Sequence, residues 1–383
     1  MRCSFLHHWP VTLSLTALLY GAASAFASEA EPATAYPAPW PDVPVAIPLD
    51  RTVPIAGVGA IPHIALLLPV ESSAFANAAQ AVREGFFSAA KVQGNAPLPI
   101  RIHAVSDETE DIVTGYHKAI VSGARLIVGP LTRNGVTAIA RSDMVVVPTL
   151  ALNVPAGNIT LPANLYSLNL QVEAEARQVA QFALKQGQLN AITVFADTPI
   201  LQRIHHAFVD EFLRGGGRHV AQVPFSAEPE ALGRLKDTAL LKTADMAFLA
   251  LDLQRARLAR PYLGPLALYA TSQVNPGDAG PLVNFDLAGV RFLDMPWLLQ
   301  RDHPAVMIYP RRDFHGVLDL ERLYALGIDS FRVGQALLTG TTGPALDGVT
   351  GHIILGGDRL FVRELAAAQF TGGKLVTPSP AGR

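Results

Sequence analysis

The chain has 383 residues, of which 50% are hydrophobic and 16% are charged, and its formal net charge is −2. This composition provides no basic field, so we expect neither nucleic-acid binding nor electrostatic attachment to an anionic membrane. The length is sufficient for two domains of ordinary size.

Residues 1–27 have the layout of a secretory signal peptide. Arg2 precedes an apolar run that ends in small residues, which suits cleavage after Ala27. A membrane anchor is the alternative, but the run is short for a span. We therefore expect a periplasmic protein that is soluble after cleavage, with no stable membrane insertion.

The single cysteine, Cys3, lies before the apolar run and would leave with the signal peptide. The exported chain would then have no disulfide, no thiol nucleophile and no cysteine for a lipid anchor. Residues 28–62 contain eight prolines, which is typical of a stiff and extended linker. Residues 377–383 are expected to be a short tail.

Apolar runs alternate with helical patterns after the linker. The predicted strands of a first series lie at 63–70, 100–105, 125–129 and 144–150, with helices at 75–93 and 109–122. The predicted strands of a second series lie at 191–196, 218–225, 245–251 and 265–270. The predicted helices of this series lie at 171–187, at 199–213, in a segment that ends near 243, and at 253–260. Strands separated by helices indicate parallel α/β sheets, and two series indicate two Rossmann-like lobes.

Ligands of such sheets bind beyond the carboxyl ends of the strands. The loops at those ends are rich in small polar residues and poor in charge. They supply our candidates for a ligand cleft, which are Ser72, Ser73, Gly129, Pro130, Asn153, Asp197 and Ser272.

Three of these residues have a structural alternative. Ser72 and Ser73 follow a strand and precede a helix, so they are either a helix cap or contacts for a ligand anion. Asp197 also follows a strand, and its carboxylate could bind a ligand ammonium or cap the next helix.

The sequence provides no recognisable catalytic, cofactor or metal site. The loop after the first strand lacks the glycine pattern of nucleotide-binding proteins, and no nucleophile-elbow motif is present. His205 and His206 are adjacent on a helix and point to different faces, which does not suit a metal. Glu173 and Glu175 are interpreted as first-turn acids that favour the helix dipole. We therefore expect no enzyme, no cofactor and no metal.

A compact apolar segment at residues 290–304 interrupts the α/β pattern. Its candidate residues are Asp294, Met295, Trp297 and Leu298. They are expected either to form a buried hinge cluster or to form an exposed surface that docks a partner.

Several motifs together resemble the LppC/LpoA family of penicillin-binding protein activators. Four of them lie before the apolar segment, at 64–89, 127–136, 166–183 and 269–273. The most specific ones are DMPWLL at 294–299, LERLYALGIDSFRV at 320–333 and the segment at 345–376. The resemblance covers residues 62–376.

The resemblance implies a type I periplasmic-binding-protein-like fold with three hinge crossovers, near residues 168, 293 and 343. The expected first lobe comprises residues 63–168 and 294–342. The expected second lobe comprises residues 169–293 and 343–376. The apolar segment would mark the return of the chain from the second lobe to the first.

The resemblance also implies a regulator that binds and activates a class A penicillin-binding protein in peptidoglycan synthesis and catalyses nothing itself. From this sequence we expect neither the helical-repeat domain nor the lipid anchor of the fuller members. The alternative is a solute-binding protein that delivers an amino-acid-like ligand to an ABC transporter or sensor, with a small ligand in the cleft.

Overall fold

The structure is a computed structural model that describes residues 60–377, with gaps at 95, 238, 278–279 and 341–344. The predicted signal peptide, nearly all of the predicted linker, and the tail after residue 377 lie outside the described residues. The described residues form two α/β lobes, each built on its own sheet.

The strands of the described residues are, in chain order, β1 (His63–Leu68), β2 (Ile100–Ala104), β3 (Ala124–Val128), β4 (Thr149–Ala151), β5 (Leu165–Leu168), β6 (Asn190–Phe195), β7 (Arg218–Pro224), β8 (Met246–Ala250), β9 (Ala267–Ala270), β10 (Val290–Asp294), β11 (Leu346–Asp347), β12 (His352–Leu355), β13 (Leu360–Glu364), β14 (Ala366–Thr371) and β15 (Lys374–Val376). The α-helices are α1 (Ala76–Val92), α2 (Thr109–Val121), α3 (Arg133–Ala140), α4 (Val172–Lys185), α5 (Pro199–Arg214), α6 (Pro229–Asp237), α7 (Leu253–Ala259), α8 (Pro281–Asp286), α9 (Pro296–Leu299), α10 (Pro304–Met307) and α11 (Leu318–Thr339). Short 3₁₀ turns occupy Ala239–Lys242, Arg260–Tyr262 and Ser272–Val274.

The first sheet has the strand order β11-β12-β13-β5-β4-β3-β1-β2. Its strands from β2 to β13 pair in parallel, and β11 and β12 complete one edge in antiparallel pairs. All six residues of β1 are buried, because helices cover both faces of the sheet. The predicted parallel α/β lobe is thus confirmed.

The second sheet has the order β15-β14-β10-β9-β8-β6-β7. Its strands from β7 to β10 are parallel, and β14 and β15 add an antiparallel edge. Its core includes the stacked rings of Phe208 and Phe248, whose centroids are 3.8 Å apart. The prediction of two lobes with mostly parallel sheets is therefore confirmed.

The chain crosses between the lobes three times, but the third crossing is not where we expected it. The first crossing follows β5, and the second follows β10. Residues 346–364 belong to the first sheet, because β13 pairs in parallel with β5, and only β14 enters the second sheet. The third crossover therefore lies at Leu365, and the prediction of a crossover near residue 343 is wrong.

The strand predicted at 144–150 is also displaced. The observed strand is Thr149–Ala151, and the preceding valines are not part of the sheet. Val146 is 39% exposed, and Pro148 has no N–H with which to join a ladder. The apolar composition of MVVV was therefore a misleading signal at this position.

Helices α1 and α11 of the first lobe cross with their backbones in contact. A Cβ atom at Gly85 would lie 1.9 Å from the carbonyl oxygen of Tyr324, and one at Gly327 would lie 2.1 Å from that of Val82. The close approach brings Phe86 and Phe331 into an edge-to-face contact with 5.2 Å between centroids. Both glycines are therefore required by the helix crossing.

Candidate functional site

A cavity of about 260 Å³ opens between loops of the first lobe and helix N-termini of the second. Its lining residues are Leu131, Arg133, Leu152, Asn153, Leu170, Gln171, Val172, Glu173, Ile200, Arg203, Leu323 and Leu326. Asn153 is the one cleft candidate from the sequence that lines this cavity. The other six candidates lie elsewhere.

The amide of Asn153 is already used by the protein. Its Nδ2 donates to the carbonyl oxygen of Leu131 at 3.0 Å, and its Oδ1 accepts from the N–H of Val154 at 3.0 Å. These bonds join the loops that follow β3 and β4. The side chain therefore shapes the cavity wall.

Ser72 serves the turn before α1. It is buried, and its Oγ accepts hydrogen bonds from the N–H groups of Ala74 and Phe75, both at 3.2 Å. Ser73 is exposed on the outside of the same turn. The geometry agrees with the capping alternative, displaced by one turn because α1 begins at Ala76.

Gly129 and Pro130 position the loop after β3. Gly129 has φ of 118°, and a Cβ there would lie 2.0 Å from the carbonyl oxygen of Leu67, so only glycine fits. The Gly129–Pro130 peptide is cis, and the carbonyl oxygen of Pro130 accepts from the N–H of Leu152 at 3.0 Å. These two residues place the cavity-lining Leu131 and Arg133.

Asp197 is exposed and lies outside the cavity lining. Its Oδ1 accepts a hydrogen bond from Nε2 of Gln202, one turn into α5. The N-cap residue of α5 is Thr198, whose side chain makes no capping bond. The helix-cap alternative for Asp197 does not match this geometry, and the ammonium contact stays a prediction.

Ser272 is buried next to the second crossover, where it contacts Glu175. The N–H and Oγ of Ser272 both donate to the Glu175 carboxylate, the latter at 3.0 Å. Glu175 is itself buried. Glu175 does lie in the first turn of α4, as predicted, but its burial and its contact with Ser272 were not predicted.

A buried ion pair extends this contact to the first lobe. Nη2 of Arg322, on α11, lies 2.9 Å from Oδ2 of Asp294 at the end of β10. The same Nη2 donates to the carbonyl oxygen of Ser272 at 3.2 Å, and Nδ2 of Asn275 donates to Asp294 at 2.8 Å. Together with Glu175, these side chains form what we call the hinge network.

Arg363 connects the other two crossovers. Its Nε donates to the carbonyl oxygen of Asn169, after β5, at 2.7 Å, and its Nη1 donates to that of Thr350 at 2.9 Å. The side-chain amide of Gln178, on α4, binds the backbone at the third crossover. It donates to the carbonyl oxygen of Arg363 at 2.7 Å and accepts from the N–H of Leu365 at 3.1 Å. Buried and part-buried hydrogen bonds thus hold all three crossovers.

Asp329 anchors the loop that precedes β12. Its carboxylate accepts from the N–H of Val349 at 3.1 Å and from both the N–H and the hydroxyl of Thr350 at 2.7 Å. Arg332 pairs with it at 3.2 Å. Thr350 therefore connects Asp329 to Arg363.

Burial shifts the protonation equilibria of the hinge network. Desolvation, reinforced by repulsion from Asp294, raises the pKa of Glu175 to about 7, although Ser272 and Arg322 oppose the shift. Desolvation opposes the charge of Arg322, but Asp294 and other nearby carboxylates leave its pKa above the ordinary value. Glu175 therefore titrates near neutral pH beside a permanent cation.

The apolar segment around Trp297 forms core. Trp297 is 1% exposed, Met295 and Asp294 are also buried, and Leu298 is partly buried. The guanidinium of Arg311 lies 3.9 Å from the centre of the indole ring, and its Nη2 donates to the carbonyl oxygen of Trp297 at 2.6 Å. This burial agrees with the hinge-cluster alternative and leaves little of Trp297 for docking.

Among the described residues, no group of three or more histidine, cysteine or acidic residues has the geometry to hold a metal ion. His205 instead contacts Thr193, with 2.9 Å between its Nε2 and the hydroxyl oxygen. None of the helices in the described part of the chain is long and apolar enough to span a membrane.

The fold and the cavity define the class of protein. Two lobes with mostly parallel sheets, three crossovers and a cavity between the lobes are the arrangement of a type I periplasmic-binding-protein-like protein. The family model described as "LppC putative lipoprotein" matches residues 58–249 and 236–373. The chain therefore belongs to the LppC family.

Two similar curated proteins carry the same name. The penicillin-binding protein activator LpoA of Pantoea ananatis is 26% identical over 326 residues, which cover 73% of this chain and 48% of the relative. The protein of that name from Klebsiella pneumoniae is 26% identical over 309 residues, which cover 71% of this chain and 44% of the relative. This chain thus spans about half the length of these curated relatives.

Solved structures share the fold. A chain from Chromobacterium violaceum, described as a "putative branched-chain amino acid ABC transporter", is 38% identical with a TM-score of 0.69, and the match covers 81% of this chain and 99% of that one. Full-length LpoA from Haemophilus influenzae is 20% identical with a TM-score of 0.71, covering 83% of this chain and 59% of that one. The C-domain of the same protein gives a TM-score of 0.70 at 21% identity and is covered to 99%.

Proposed function

We propose that this chain is a periplasmic regulator that binds a class A penicillin-binding protein and stimulates its peptidoglycan synthesis. The observation that carries the proposal is the LppC family match over both lobes, together with curated relatives named penicillin-binding protein activators. The chain itself would catalyse no reaction. It would act by binding more tightly to the active conformation of the synthase.

The hinge network supports this proposal. A regulator that stabilises one conformation of a partner benefits from a surface with a fixed shape, since ordering a mobile surface costs binding free energy. Arg322 of this network, together with Arg363, connects the lobes and crossovers through buried and part-buried hydrogen bonds. We expect the two lobes to present one continuous, fixed surface to the synthase.

The direct test of the partner is a binding measurement. Each class A penicillin-binding protein of the host is immobilised, and the purified chain is passed over it in increasing concentration. A solute-binding protein of similar size and fold serves as the matched control. Saturable binding of this chain alone, to at least one synthase, is expected. Absence of binding to every class A synthase contradicts the proposal.

A second candidate function is the binding of a solute for an ABC transporter or sensor. It is favoured by the Chromobacterium violaceum chain, which is matched over nearly its whole length. In that case leucine, isoleucine or valine should raise the unfolding temperature in proportion to the logarithm of its concentration well above Kd. The cavity offers weak support for an amino acid, because its one carboxylate, Glu173, is already paired with Arg203 at 3.2 Å.

A further inference from the structure

The cavity between the lobes has an apolar wall. Its aliphatic lining residues come from both lobes and are Leu131, Leu152, Leu170, Val172, Ile200, Leu323 and Leu326. Such a wall favours the aliphatic body of a ligand, since burial of apolar surface is the main source of binding free energy. A volume of about 260 Å³ lies just below the roughly 300–1,000 Å³ of pockets for drug-sized molecules. A small ligand is therefore expected.

The charged residues of the lining differ in whether they have a partner within the protein. Glu173 and Arg203 pair with each other, with 3.2 Å between Oε1 and Nε. Arg133 also lines the cavity and is half-buried, and its guanidinium has no hydrogen bond or ion pair within the described residues. The cavity therefore offers one available cation and no available carboxylate.

Three helices of the described chain begin at this cavity and add to its positive potential. Arg133 is the first residue of α3, Val172 is the first residue of α4, and Ile200 lies in the first turn of α5. The N-terminus of a helix carries a partial positive charge and unpaired N–H groups, which favour an anion. These dipoles act in the same direction as the Arg133 guanidinium.

We infer that the cavity binds a small monocarboxylate with a branched aliphatic body, and that Arg133 pairs with the carboxylate. The aliphatic body would lie against the leucine side chains of both lobes. A zwitterionic amino acid fits less well, because its ammonium would find no free carboxylate and would lie close to arginine side chains. This inference goes beyond the proposed regulatory function and does not depend on it.

The test compares three probes that differ in one group each. 4-Methylpentanoate has the aliphatic body of leucine without its ammonium, and 4-methylpentan-1-ol has that body without any charge. Titration calorimetry with the unaltered chain should show binding of 4-methylpentanoate at least about tenfold tighter than of leucine or of the alcohol, because a charge-assisted hydrogen bond is worth about one decade or more. Leucine binding as tightly as 4-methylpentanoate, or no binding of the acid at millimolar concentration, overturns the inference.

Two matched variants test the role of Arg133. Arg133→Gln should weaken 4-methylpentanoate binding about tenfold or more, with an unchanged urea midpoint in the absence of the acid, since Arg133 has no partner to lose. Arg141→Gln removes an exposed arginine just after the same helix, outside the cavity, and should bind like the unaltered chain. Equal affinities of the Arg133→Gln variant and the unaltered chain contradict the assignment.

No penicillin-binding protein is present in these ligand-binding measurements. Loss of carboxylate binding would leave the proposed activation of a penicillin-binding protein untouched, and failure of activation would leave the carboxylate result untouched. The two ideas therefore fail independently.

Discussion

Arg322 and Asp294 form a buried ion pair at the junction of the two lobes, with 2.9 Å between Nη2 and Oδ2. The arginine comes from α11 of the first lobe, and the aspartate ends β10 of the second. Because Nη2 also donates to the carbonyl oxygen of Ser272, one guanidinium group holds two segments of the second lobe.

Removal of the cation should therefore be costly. Arg322→Met leaves the Asp294 carboxylate buried without its cationic partner, and we expect a loss of about 3–5 kcal/mol in the free energy of unfolding. Arg312→Met is the matched control, because Arg312, whose side chain is 56% exposed, pairs with Glu84 near the surface and should change stability by about 0–1 kcal/mol. Urea unfolding measures both. Similar losses in the two variants contradict a structural role for the hinge ion pair.

The raised pKa of Glu175 predicts a pH dependence of stability. Its pKa is about 7 in the folded chain and near the ordinary 4.5 after unfolding. Between these values the folded state holds the proton more tightly, so Glu175 contributes stability at low pH that is lost as the pH rises to about 7. Glu175→Gln removes this pH dependence. The free energy of unfolding of the variant, relative to that of the unaltered chain, should therefore rise with pH over that range, by up to about 1.4 kcal/mol per pH unit. Parallel stability profiles contradict the assignment.

The buried His205 should give a pH dependence of stability with the opposite sign. Burial, with repulsion from His206 and His219, lowers its pKa to about 4. The unfolded state therefore binds the proton more readily below the ordinary pKa of 6.5, and stability is lost as the pH falls from about 6.5 towards 4. His205→Gln should flatten this part of the unfolding profile, whereas His315→Gln, at a site whose side chain is 90% exposed, should not. An unchanged profile in the His205 variant would count against this account.

The crossing of α1 and α11 should not tolerate a side chain. Gly327→Ala places a Cβ atom 2.1 Å from the carbonyl oxygen of Val82, which forces the helices apart. We expect a loss of at least about 1–3 kcal/mol in stability. Gly233→Ala in α6 is the control, because nothing lies within 4 Å of the new atom, and it should stabilise the helix by about 0.5–1 kcal/mol. Thermal unfolding distinguishes the two outcomes.

Substitution of Trp297 distinguishes a role in core packing from a role in partner binding. Because its side chain is almost fully buried, Trp297→Ala should cost about 3–5 kcal/mol. Leu282→Ala, at a site that is 81% exposed, should have little effect. A Trp297 variant of normal stability that nevertheless fails to bind a synthase would contradict the assignment to core.

The sequence was sufficient to predict the parallel lobes. Strands such as β1 and β8 are uninterrupted apolar runs because both faces of the sheets are covered, and all residues of both strands are buried. Prediction failed where sheet membership depended on distant pairing. Nothing local in residues 352–364 indicates that β13 pairs with β5, and the third crossover was therefore placed too early.

Neither the hinge network nor the contacts of Arg363 could be predicted from spacing. Arg322 and Asp294 are 28 residues apart, and Arg363 and the Asn169 carbonyl are 194 residues apart. One signal was available in the sequence. A charged residue inside an apolar run, such as Asp329 in LERLYALGIDSFRV, is expected to be buried, and a buried charge requires a hydrogen-bonding or charged partner. Glu175 gave no such signal, because an acid in the first turn of a helix has an ordinary explanation.

The cleft candidates show a similar division. Position after a strand selected Asn153, which lines the cavity, and the residues before Arg133, which also lines it. The same rule selected Ser72 and Asp197, whose polar groups are occupied by local hydrogen bonds. Local turn chemistry competes for the same side chains as ligands do, and sequence position alone does not separate the two.

The measurement that tests the central claim most directly is the rate of glycan polymerisation and peptide cross-linking by each class A penicillin-binding protein of the host, with and without the purified chain. The account predicts a saturable, dose-dependent increase in rate for at least one synthase, at concentrations that match its binding. Unchanged rates for all of them, at concentrations that saturate binding, would contradict the claim that this chain is an activator.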